Sequence, residues 1–164
     1  ISPMIVPLII TAAGMFFFYA RINLVYSFTG IILAHVALAT PFVVITVTAT
    51  LVGFDMNMVK ASQSLGARPV RTFFKVIMPL ILPGVISGAL FAFITSFDEV
   101  VIVMFMASLD QLTIPKQMWA GIRQEISPVI LCMATCLVIL SILLLTTVEL
   151  LRRRSEKLRG IKSR

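Results

Sequence analysis

Asp98 and Glu99 stand side by side inside an apolar run, with Val100-Val101-Ile102-Val103 directly after them. Ionisable side chains in such a setting are costly, and by default they face a cavity, a partner or a pathway. Two carboxylates there would attract and briefly hold a cation crossing a membrane, or would brace a helix break through hydrogen bonds. His35, the single histidine, has no companion in sequence and suits hydrogen bonding between helices better than a place in a substrate path. Cys132 and Cys136 lie four residues apart, on one face of a helix. With no His or further Cys nearby, they read as buried free thiols rather than a redox pair or half of a metal site. No Ser/His/Asp set, no metal-ligand cluster and no G-x-x-x-x-G-K-[ST] phosphate loop occurs anywhere in the chain. These residues predict no catalytic centre, no metal and no cofactor in this chain. If ATP and Mg are used, a partner must bind them.

The elements that hold these residues are apolar. Of 164 residues 59% are hydrophobic and only 13% charged, with a mean hydropathy of +1.05, far from the soluble average of roughly 45–50% and 25%. A hydrocarbon core about 30 Å thick needs roughly 20 apolar residues as helix, and four windows qualify: 1–20, 30–54, 80–107 and 128–151. None alternates as a strand would, and in lipid the backbone must satisfy its own hydrogen bonds, so the predicted fold class is all-α, a polytopic transmembrane bundle. The first window has no basic residue ahead of it and no small-residue cleavage site before Arg21, which argues against a signal peptide. A start at Ile suggests a missing upstream region.

The net charge of +7 would suit nucleic acid, but the basic residues are distributed as membrane topology requires. The 55–79 connection carries Lys60, Arg68, Arg71 and Lys75, and the tail after Leu151 carries Arg152, Arg153, Arg154, Lys157, Arg159, Lys162 and Arg164. The other two connections hold only Arg21, Lys116 and Arg123. Basic residues concentrate on the cytoplasmic side, so 55–79 and the tail are predicted to be cytoplasmic, the tail touching anionic lipid.

Within that connection, KASQSLGARPVRTFFKVIMP reads as two short helices. Met58, Ala61, Ser62 and Leu65 share a face. Gly66 suits the left-handed residue after a helix, and Pro69 the first turn of the next. Val70, Phe73, Phe74 and Ile77 repeat the spacing, with Arg71 and Lys75 lying toward the opposite face, and Pro79 marks the entry to the next membrane helix. A DNA-reading helix-turn-helix would need a third helix and freedom from the membrane. An amphipathic connector in the headgroup zone is the plain alternative. The small residues favour a docking element that a partner's groove can approach closely.

Lys60-Ala61-Ser62, then Gly66, then Val76-Ile77-Met78-Pro79 resembles the cytoplasmic signature of ATP-binding-cassette importer permeases, Glu-Ala-Ala, three residues, Gly, nine residues, Ile-x-Leu-Pro. Lys60 replaces the usual Glu and Ser62 the second Ala. ILAHVALATPFVVITV before it and LILPGVISGALFAFITSFDEVVI after it are similar to the spermidine/putrescine branch of that family. The resemblance covers nearly the whole chain. It implies one permease domain over 1–164, similar to the last four of about six membrane helices. It also implies a coupling segment at 55–79 whose Lys60, Ala61, Ser62, Leu65, Gly66 and Ala67 meet a separate cytoplasmic ATPase subunit. The implied partners are a second permease subunit and a periplasmic or lipid-anchored substrate-binding protein, in a bacterial inner membrane. The implied activity is polyamine import by alternating access.

Two further features bear on that path. Gly84, Gly88, Ala92 and Ser96 fall at successive i+4 positions, a small-residue stripe for close helix approach. Asp98, about 15 residues beyond Pro83 at about 1.5 Å each, is expected past the midplane on the outer side. Between the third and fourth windows, 108–127 holds Asp110, Pro115, Lys116, Trp119, Gly121, Arg123 and Glu125. It suits an interfacial loop, and the family's arrangement would set it facing the binding protein. A secondary transporter or channel, a permease for another solute, or a membrane scaffold remain as rival readings.

Overall fold

The computed structural model describes residues 5–124 and 128–158. Glu125, Ser127 and the tail residues Arg159, Lys162 and Arg164 lie outside it, as do the side chains of Arg152, Arg153, Arg154 and Lys157. Among the described residues there is no strand, and the chain is all-α as its composition predicts. In order come α1 (Leu8–Arg21), α2 (Phe28–Val52), α3 (Asn57–Ser64), α4 (Pro69–Thr72), a π-helical turn (Phe73–Ile77), α5 (Met78–Phe97), α6 (Val101–Met106), α7 (Ile114–Gln124) and α8 (Pro128–Leu158).

Three described helical stretches are long and apolar enough to cross a membrane: Phe28–Val52, Pro69–Phe97 and Pro128–Thr147. The first window contributes α1, only 14 residues, about 21 Å at 1.5 Å per residue. The third window departs from its expected bounds at both ends. α4, the π-helical turn and α5 run together, so the second short helix is the foot of the membrane helix rather than a separate element before Pro79. Pro79 is the second residue of α5, directly after the π-helical turn, the kind of local adjustment that accommodates a proline within a longer membrane helix. At the other end the helix stops at Phe97, and 98–100 separate it from α6.

Local chemistry sets these boundaries. The Ser27 hydroxyl accepts from the Gly30 amide at 3.0 Å and caps α2. The Asp55 carboxylate accepts from the Asn57 amide at 2.9 Å at the start of α3. Gly66 takes φ +77°, the left-handed conformation that ends α3, and Pro69 opens α4 behind an extended Arg68.

α2 packs along α5, and this contact organises the molecule. The small-residue stripe of α5 is the reason. A Cβ on Gly88 would lie 2.5 Å from Thr46 Oγ1 and 3.0 Å from Val43 Cα, and one on Gly84 would lie 3.0 Å from the Thr46 carbonyl oxygen. Both glycines therefore admit α2 to a distance no side chain would allow. The stripe's partner is thus within this chain.

A second cluster joins α1, α2 and α6 through Ala12, Ala34, Leu38, Ile102 and Met106, all buried, with Phe16, Tyr19 and Phe105 around them. α7 and α8 pack on one another, and α8 lightly on α5. α8 is the most exposed span, with no buried residue in its apolar window. Cys132 and Cys136 are accordingly free and exposed on it, not buried as expected. Lipid tails are as apolar as Leu, so such a surface carries no penalty in a bilayer.

Candidate functional site: an acidic pole and an exposed elbow

Helix geometry divides the two adjacent carboxylates. Glu99 is 5% exposed. Its Oε1 accepts from the amides of Val101 and Ile102 at 2.9 and 3.0 Å, and its Oε2 from Ile102 and Val103 at 2.9 and 3.3 Å. These are the first amides of α6, which have no partner within the helix, and a carboxylate at that end also complements the helix dipole. Glu99 holds the break between α5 and α6 together.

Asp98 is exposed. It closes α5 as the C-terminal cap, its amide donating to the Ile94 carbonyl at 3.1 Å. The 29 residues of Pro69–Phe97 span about 43 Å at 1.5 Å per residue, so Asp98 lies at the far end of the helix from the Gly66 turn. The C-terminal end of a helix carries partial negative charge. Asp98 adds a full one to it, and the result is a pole that attracts cations and repels anions.

Two cavities share the Asp98 wall. One, about 440 Å3, lies between α5, α7 and α8 and includes Phe93, Phe97, Pro115, Leu137 and Ser141. The other, about 480 Å3, lies toward α1 and α2 and includes Leu8, Phe42, Thr95, Glu99 and Val101. Phe42 stacks on Phe91 at 6.3 Å and Phe93 on Phe97 at 5.4 Å, and Phe42 lines one of the cavities while Phe93 and Phe97 line the other. Aromatic faces and a carboxylate suit an organic ammonium.

His35 sits below this pole. Its Nδ1 and the Ser96 hydroxyl are 2.8 Å apart, a hydrogen bond between α2 and α5 at the fourth position of the small-residue stripe. The ring joins helices, as its isolation in sequence predicts. Among the described residues its Nε2 is buried without a partner, and no three His, Cys, Asp or Glu side chains gather as a metal-binding group.

At the other end, α3 and the Gly66 turn form an elbow. Lys60, Ala61, Leu65 and Gly66 are exposed, Leu65 at 88%, while Ser62 and Ala67 are partly buried. A Cβ on Gly66 would meet nothing within 4 Å. The elbow is open toward any partner, and its constraint is the backbone conformation. Thr72, which sequence reasoning did not single out, is 2% exposed, and its hydroxyl lies 2.9 Å from that of Ser62.

The segment before α7 and the connection around Tyr26 are tied by polar contacts without a sequence signature. The Tyr26 amide donates to the Met106 carbonyl at 2.9 Å, and Gln111 Nε2 to the Tyr26 carbonyl at 3.2 Å. Lys116 Nζ donates to the Ser108 carbonyl at 3.1 Å. Trp119 is half exposed on α7 with the Arg123 guanidinium 6.0 Å from its ring centre, as suits a membrane interface.

Known proteins are similar to this chain in sequence. The spermidine/putrescine transport system permease protein PotC of Haemophilus influenzae is 31% identical over 153 residues, 93% of this chain and 60% of the relative. PotC of Escherichia coli K12 is 29% identical over 154 residues, 94% of this chain and 58% of the relative. The putrescine transport system permease protein PotI of the same organism is 29% identical over 140 residues, 82% of this chain and 50% of the relative. The chain thus spans about half to three fifths of the length of these relatives. Residues 1–157 match the binding-protein-dependent transport system inner membrane component, a multi-pass transport component rather than an enzyme. With 157 of its 164 residues matched, the chain belongs to that family.

Proposed function

We propose that the chain forms the membrane pathway of an ATP-driven importer and carries polyamines of the spermidine and putrescine kind by alternating access. The observation that carries this reading is the single helical stretch from Pro69 to Phe97, with an exposed small-residue elbow at its foot and the Asp98 carboxylate at its head. A force applied at the elbow reaches the acidic pole through one continuous helix. An oligoamine offers several ammonium groups to such a pole and short methylene spacers to the phenylalanines around it.

In this reading 1–164 is one permease domain, and residues 55–79 and the tail face the cytoplasm. Lys60, Ala61, Ser62, Leu65, Gly66 and Ala67 meet the ATPase subunit, which binds ATP and Mg. A second permease subunit completes the pathway, and a substrate-binding protein delivers polyamine at the outer connection. Asp98 lines the route, while Glu99 holds the break that presents it.

The test is uptake of labelled spermidine and putrescine by the full-length protein, co-expressed with its ATPase, second permease and binding protein in a polyamine-uptake-deficient strain and in proteoliposomes. Uptake that requires ATP hydrolysis is expected. Uptake driven by an ion gradient without ATP would make the protein a secondary transporter, and ATP-dependent uptake of another solute would move the substrate but keep the class.

A further inference from the structure

The elbow contains one polar contact that its turn does not require. α3 buries none of its residues and packs only lightly, on α4 and the π-helical turn. The bonds closing α3, from the amides of Leu65, Gly66 and Ala67 to the carbonyls of Ala61, Gln63 and Ser62, lie on its own side of the turn. The bond opening α4, from the Thr72 amide to the Arg68 carbonyl, lies on the other. Residues 65–68 between them keep two soft dihedrals each. A hinge of that kind would absorb a displacement of α3 instead of passing it on.

Ser62 Oγ and Thr72 Oγ1, 2.9 Å apart and ten residues apart in sequence, close this gap. Among the described residues theirs is the side-chain hydrogen bond that crosses the turn. Thr72 is 2% exposed, and it immediately precedes the π-helical turn, so it is the last α-helical residue of the foot. Burial makes the bond costly to lose, because a lone hydroxyl there has no water to replace its partner.

We infer that Ser62 and Thr72 are a positioning pair: their hydrogen bond fixes the angle between α3 and the long helix, so that movement of α3 is delivered to α5 rather than lost in the Gly66 turn. This inference rests on the coupling reading above. Neither residue touches the substrate, and their effect is on how much transport each ATP yields.

Two measurements separate the pair from the coupling reading. In the full-length protein, spin labels at exposed Met58 on α3 and Val70 on α4 should give one narrow distance distribution, broadened in Ser62→Ala and in Thr72→Val and restored in Thr72→Ser. An unbroadened distribution in both hydroxyl-less variants overturns the inference, whatever the transport results. In proteoliposomes with all partners, ATP hydrolysed per spermidine imported should rise about fivefold in either single variant, the scale of one net hydrogen bond. The double variant should be no worse than the singles, and Thr72→Ser should stay near wild type. Unchanged ratios, or effects that add in the double variant, overturn the pair as a transmission device. If Thr72→Val fails to assemble, Ser62→Ala at the partly buried partner decides the same question. Wild-type uptake that is independent of ATP hydrolysis overturns the coupling reading, and with it the role assigned here, even if the distance distribution behaves as stated.

Discussion

At the scale of residues, the central fact is that neighbouring carboxylates do different work. Glu99 is buried at the edge of one cavity and spends its acceptors on three backbone amides, whereas Asp98 is exposed and lines both cavities. Removing each charge should therefore give different failures. Asp98→Asn keeps the size and should leave assembly intact while lowering polyamine uptake at limiting substrate about tenfold, the equivalent of roughly 1.4 kcal/mol. Glu99→Gln replaces charge-assisted bonds with weaker ones and turns an amide donor toward donors. Its expected signature is a loss of about 1–3 kcal/mol of stability, read as reduced yield and a lower melting temperature of the purified protein. Wild-type uptake in Asp98→Asn at matched expression would remove the carboxylate from the pathway. The pair is legible in sequence as two costly groups in an apolar run. Which one caps α6 and which one is left exposed to both cavities depends on where α5 stops.

At the scale of elements, two glycine positions carry the architecture for different reasons. Gly66 is needed for its φ of +77°, and a non-glycine residue pays about 1–2 kcal/mol there. Gly66→Trp adds bulk in the open space outside the elbow. It should insert normally and yet lose ATPase association or substrate-stimulated hydrolysis, and intact association would defeat the docking role. Gly88 is needed because Val43 and Thr46 occupy the space a Cβ would take. Gly88→Leu should separate α2 from α5 at a cost of at least about 1–3 kcal/mol, measured as lost expression of folded protein, whereas Gly14, with nothing within 4 Å, should tolerate Ala. The sequence announces the stripe through its i+4 spacing. Its partner on α2, the Thr46 and Thr50 face, has no comparable signature, because threonines in a helix as often bond back to their own backbone, as both do here.

At the scale of the whole molecule, orientation and completeness are the testable quantities. With Cys132 and Cys136 replaced, a single cysteine at exposed Leu65 should be modified by a membrane-impermeant reagent only from the cytoplasmic side, and one at Leu109 only from the outside. The reverse labelling would invert the topology and remove the elbow from an ATPase's reach. The 164-residue chain by itself should not transport polyamines in liposomes. It spans only about 60% of its relatives, and much of its apolar surface lies open to a neighbour or to lipid. Uptake by that chain alone, without partners, would refute the ATP-driven reading.

Composition alone determined the membrane setting and the helical class, because a run of apolar residues in lipid has no other way to satisfy its backbone. The Gly66 turn and the Pro69 start of the next helix were legible for an equally local reason: φ preferences belong to the residue itself. The extent of the third span was not. The sequence shows an apolar window from 80 to 107, but the helix begins at Pro69 and ends at Phe97. The foot is held where Thr72 meets Ser62, and the head is broken where Glu99 finds the amides of α6. Neither contact lies in the window's hydropathy. The partner of His35 and the roles of Ser62, Thr72 and Gln111 were likewise decided by tertiary structure. A hydrogen bond is specific only at about 3 Å and in the right direction, and residues 10, 61 or 85 positions apart come that close only once the helices have packed.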